Sequence, residues 1–67
     1  MKLDHNKLHD DLLKHCNYLE KTQTEVCRDL GLSRTIFQVL KRGGDIYSST
    51  LIKLINELNK DLKEYLV

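Results

Sequence analysis

The sequence predicts an all-α domain built from five short helices. Three observations carry that expectation. Leu8, Leu12, Cys16 and Leu19 recur at spacings of four, four and three, the period of a helix stripe. Residues that tolerate left-handed backbone, Gly31, Gly43 and Asn59, follow successive apolar stripes and read as helix ends. No segment alternates apolar and polar residues convincingly in the strand period.

The first stripe places a helix at about residues 5–19, with Asp4, Lys7, Asp10, Asp11 and Lys14 off it. Asp10 and Asp11 read as a solvated patch. Thr22 followed three residues later by Glu25 is a capping box: the hydroxyl accepts from the Glu25 N–H and the carboxylate reaches back. A second helix then runs from Gln23 to about Leu30, with Val26 and Leu30 inward. Gly31 turns the chain, and Ser33 is the N-cap candidate of a third helix at Arg34–Lys41. Gly43 and Gly44 end it. Ser48 or Ser49 is expected to cap a fourth helix at about 50–58, whose stripe is Leu51, Leu54, Ile55 and Leu58. Asp61–Leu66 can form a short fifth.

Composition narrows the function classes. Sixty-seven residues are one small domain, too short for a two-lobed enzyme or a cofactor-binding sheet. The chain is 40% hydrophobic, with 13 leucines, and 31% charged, which is globular rather than disordered composition. Its longest apolar run, Tyr65–Val67, is far below the roughly 20 residues a membrane span needs, and no apolar leader is seen, so a cytosolic chain is expected. There Cys16 and Cys27 are expected as packed thiols rather than a disulfide. His5 and His9 sit four apart, but two histidines make half a zinc site and no Cys-x-x-Cys accompanies them. No metal, cofactor or catalytic arrangement is expected. The net charge of +1 is unevenly spread: residues 21–44 carry five basic side chains against Glu25 and Asp29, a balance of +3, while both flanks sum to −1. The middle of the chain is the part suited to a phosphate-bearing partner.

Two short helices joined through a Gly, the second capped by Ser, make a helix-turn-helix, here about residues 22–43. On the helical lattice Arg34, Gln38, Arg42, Thr35 and Val39 fall at roughly 0°, 40°, 80°, 100° and 140°. Ile36, Leu40 and Phe37 fall opposite, so they are core. The outward set suits base readout: Arg binds guanine, Gln pairs with adenine, and Thr or Val methyls touch thymine. Arg34, Thr35, Gln38 and Val39 are therefore the candidate base readers, although Val39 borders the apolar side. Gln23, Ser33, Lys41, Arg42 and the backbone N–H groups of Gly43 and Gly44 are the candidate phosphate contacts.

This stretch resembles the helix-turn-helix of the Cro and phage-repressor-like (Xre) family. The resemblance runs through Thr22-Gln23, Glu25, Val26-Cys27, Leu30-Gly31-Leu32-Ser33-Arg34, Phe37, Leu40 and Arg42-Gly43, without insertion. Cys27 stands where the family usually has Ala, Lys41 replaces a frequent Glu, and the loop after Gly43 is about one residue short and lacks the usual Pro. The resemblance implies a lambda-repressor-like fold, operator DNA as partner and a repressor's role, with Gln23 reaching a phosphate. One recognition helix reads too few base pairs to be selective, so a homodimer on a near-palindromic operator is expected. Leu62, Tyr65, Leu66 and Val67 are the candidate dimer surface. The rival is an interaction module of the same fold, an antitoxin or anti-repressor.

Overall fold

Asp4 begins the first helix by accepting the Lys7 N–H on its carboxylate at 3.1 Å. The helix that follows, α1 (His5–Leu19), drives Leu8, Leu12 and Cys16 into the centre of the molecule. A computed structural model of the chain describes residues 2–67. After α1 come α2 (Gln23–Leu30), α3 (Ile36–Arg42), α4 (Ser48–Leu58) and a single 3-10 turn (Leu62–Tyr65). Each of the four later elements packs on α1, which is thus the central post of the fold. The radius of gyration is 10.9 Å.

The core follows the apolar stripes. α2 adds Val26 and Cys27, α3 adds Ile36, Phe37 and Leu40, and α4 adds Leu54 and Ile55. His9 lies edge-on to Phe37, with ring centroids 6.0 Å apart. Burial raises both free thiols, Cys16 and Cys27, above the ordinary cysteine range, which keeps them protonated and unreactive.

Every α-helix ends in the same way. The residue after the helix takes left-handed backbone, and two N–H groups fold back on the last carbonyls as a Schellman pair. At Gly31 the donors are Gly31 and Leu32; at Gly43 they are Gly43 and Gly44. Asn59 makes the third such exit, as its side chain suggested. The fourth is at Glu20, φ 57°, a residue with no local signal for that conformation.

Three boundaries correct the sequence expectation. α3 begins at Ile36 rather than Arg34. α4 begins at Ser48 with Tyr47 at the cap position, so neither Ser48 nor Ser49 caps it. The expected fifth helix is only a 3-10 turn, held by Asp61 and Glu64 in their own capping box.

Residues 2–4 meet residues 65–67. Leu3 and Leu66 form an isolated antiparallel bridge, flanked by backbone hydrogen bonds between Lys2 and Val67 in both directions. Tyr65 beside them is fully buried, its hydroxyl on Asp11 at 2.7 Å. That corrects two expectations. Tyr65 is a core residue and is unavailable as a dimer contact, and Asp11 is a structural acceptor rather than part of a solvated patch. No described helix is long and apolar enough to cross a membrane.

Candidate nucleic-acid interface

The capping box forms as read. Thr22 Oγ1 accepts the Glu25 N–H at 3.2 Å, and Glu25 Oε1 accepts the Thr22 N–H at 3.2 Å. This fixes the start of α2 and leaves Gln23 exposed on its first turn, where N–H groups still lack partners within the helix.

The turn into α3 differs from expectation, for a local reason. Ser33 Oγ accepts the N–H of Thr35, only two residues on, and shares a 2.9 Å hydrogen bond with the Thr35 hydroxyl. The same bond would serve a cap on the second helical N–H, but here the backbone at Arg34 and Thr35 is a turn and the first helical residue is Ile36. The serine thereby holds Arg34 and Thr35 in a turn, and the helix starts after them. Arg34 is consequently exposed on the approach to α3, off the helical lattice that assigned its angle. Thr35 is exposed beside it. Gln38, Lys41 and Arg42 are exposed on α3 itself.

Electrostatics sharpen the picture. Of the five basic side chains in this stretch, Lys21 is neutralised by Asp29 at 2.6 Å, an ion pair that holds the aspartate below its ordinary range. Among the described residues, Arg28, Arg34, Lys41 and Arg42 make no ion pair. Lys41 and Arg42 also sit at the carboxyl end of α3, where the helix dipole favours cations.

Two expected phosphate contacts fail. The N–H of Gly43 donates to Leu40 O at 3.2 Å and that of Gly44 to Val39 O at 2.9 Å, so neither amide is free for a phosphate. The glycines serve the helix exit instead. Val39 is half-buried: a Cβ placed on Gly44 would lie 3.2 Å from its Cγ1. The carbonyl of Gly44 accepts from His5 Nε2 at 3.0 Å, tying the α3–α4 loop to α1.

Sequence reasoning passed over two neighbours of this face. Lys2, His5 and Asn6 line a cleft with Lys41, Arg42 and Gly43, adding a third lysine or arginine from the far end of the chain. In the other direction Asp45, Ile46 and Tyr47 form a wall beside Thr35 and Val39. Neither grouping has a local signature, because each depends on how α1 and α4 frame α3. The two histidines have separate contacts: His5 holds the loop and His9 packs on Phe37. Among the described residues no three His, Cys, Asp or Glu side chains gather as a metal site.

The candidate dimer residues divide. Leu66 is half-buried in the bridge to Leu3, while Leu62 and Val67 are 39% and 73% exposed. Ile52, not singled out from sequence, is 58% exposed and lines a groove with Leu51, Ile55 and Leu62 that contains no charged residue. The chain matches no protein-family model, and no curated protein or solved structure is found to be similar to it.

Proposed function

We propose that the protein is a sequence-specific DNA-binding transcriptional regulator, a Cro-like repressor that occupies a near-palindromic operator as a homodimer. In this reading α2, the Ser33 turn and α3 are a helix-turn-helix, with α3 in the major groove. The observation that carries it is the unpaired, exposed set Arg34, Gln38, Lys41 and Arg42, presented on one short helix and its approach beside a firmly capped α2. Arg34 and Gln38 read base edges, with Thr35 and Val39 adding methyl contacts. Lys41 and Arg42 hold phosphates, and Gln23 contacts the backbone from the other side. The resemblance to the Cro and phage-repressor-like family supports the same assignment.

A second copy seats on the uncharged groove around Ile52 and Leu62. The absence of charge there avoids like-charge repulsion when a surface meets itself across a two-fold axis. Selection of bound duplexes from a random library tests the function directly. Enrichment of an inverted repeat, with half-sites about 10 base pairs apart, is the expected result. A selection that enriches no motif overturns the repressor and leaves the groove as the surface of an antitoxin or anti-repressor.

A further inference from the structure

Beside the reading face lies a cleft of about 160 Å³ between α3 and the loop leading to α4. Leu32, Ile36, Val39 and Ile46 give it an apolar lining. Ser33, Thr35 and Thr50 bring hydroxyls to it, and Asp45 brings a carboxylate. An apolar cavity of about 150 Å³ is large enough for one benzene ring, so this cleft has room for the edge of a single base. Its shape is fixed from two sides. His5 holds the Gly44 carbonyl, and Gly44 lies close against Val39. The loop wall therefore needs little ordering when something enters.

We propose that this cleft seats the C5-methyl edge of one thymine in the major groove. The proposal rests on the DNA-binding reading above and names the base that the Val39 side of the interface selects. A thymine–adenine pair presents a methyl, then the O4 acceptor, then the adenine N6 donor. The cleft supplies a counterpart for each. The methyl meets the apolar lining. O4 takes a hydroxyl proton: Ser33 and Thr35 share one hydrogen bond between two hydroxyls, which leaves one proton of the pair to donate. The N6 amine takes the Asp45 carboxylate as acceptor. A cytosine–guanine pair would leave the apolar lining without a methyl and set guanine O6, an acceptor, toward the carboxylate. The half-buried setting of Val39 thus belongs to recognition as well as to packing.

The test uses the full chain and its selected operator, with each thymine replaced in turn by deoxyuridine, which removes only the methyl. At one thymine per half-site the wild-type protein is expected to bind about fourfold more weakly, the worth of one buried methyl. Val39→Ala and, separately, Ile46→Ala are expected to bind the thymine and deoxyuridine operators alike. Wild-type affinity indifferent to deoxyuridine at every position overturns the proposal while leaving the repressor reading intact. A methyl effect that survives unchanged in both variants overturns it too, by placing the methyl elsewhere. A library that yields no operator removes both.

Discussion

The hydroxyl of Tyr65 donates a 2.7 Å hydrogen bond to Oδ2 of Asp11, joining residues 54 positions apart. Lys7 completes the attachment, with its ammonium 5.3 Å from the Tyr65 ring centroid and donating to the Glu64 carbonyl at 2.8 Å. The last buried side chain of the chain is thus fixed to the first helix by its ring, its hydroxyl and its backbone.

Tyr65→Phe is expected to cost about 1.5–3 kcal/mol in urea unfolding, as for a hydrogen bond to a charged acceptor. It also predicts an alkaline effect. Burial and the neighbouring Asp11 carboxylate push the Tyr65 phenol well above its ordinary range. An unfolded tyrosine ionises near pH 10. Above that value the unfolded chain loses a proton that the folded chain keeps, so this contribution is complete below about pH 10 and falls as pH rises further. The alkaline decline in stability should be shallower in Tyr65→Phe; equal slopes in the two proteins would contradict the assignment.

Removing Tyr65–Val67 is expected to unfold the domain rather than release a folded monomer. Loss of a buried aromatic costs about 3–5 kcal/mol, a large part of what so small a core provides. Ile52→Lys tests the proposed dimer without touching the core, because Ile52 is largely exposed. Circular dichroism should be unchanged and sedimentation should report a monomer. A dimer that persists in Ile52→Lys places the contact on another face.

Glu20→Gly is expected to stabilise the protein by about 0.5–1 kcal/mol, because glycine adopts φ 57° without the Cβ penalty. Gly31→Ala, at φ 70°, should shift the melting temperature the opposite way. A destabilised Glu20→Gly would show that the glutamate side chain matters more than its backbone.

Under the proposed function, two arginine variants distinguish base readout from phosphate holding. Arg34→Ala should cost about 1–3 kcal/mol on the operator and relax preference at one base pair. Equal losses on operator and random DNA would make Arg34 a phosphate contact. Arg42→Ala should weaken both kinds of binding and lower the salt slope by about one unit. An unaltered slope would remove it from the phosphate set.

What the sequence made legible is what short-range chemistry decides. The Thr22–Glu25 box, the left-handed exits at Gly31, Gly43 and Asn59, and the apolar stripe of α1 each involve residues within one or two helical turns. The turn at Arg34 and Thr35 was not legible because a serine bonding the N–H two residues on fits both a helix cap and a tight turn before the helix. The roles of Tyr65, Asp11 and His5 were out of reach because their partners lie 54, 54 and 39 positions away. The exposed set Arg34, Gln38, Lys41 and Arg42 was legible as residue types, whereas the cleft beside it depends on the distant histidine that steadies its loop.

The pairing of residues 2–4 with 65–67 sets a timetable for synthesis. All four α-helices are made before residue 65 is added. Tyr65 belongs to the same buried cluster as Leu8 and Leu12, so that cluster stays incomplete until residue 65 is made. Closing nearly the whole chain into one loop then carries an entropic cost that grows only logarithmically with length, so the delay is one of sequence order more than of energy. A chain cut short before position 65 therefore leaves this cluster open beside α1, the kind of exposed apolar surface that makes incompletely folded chains prone to aggregate.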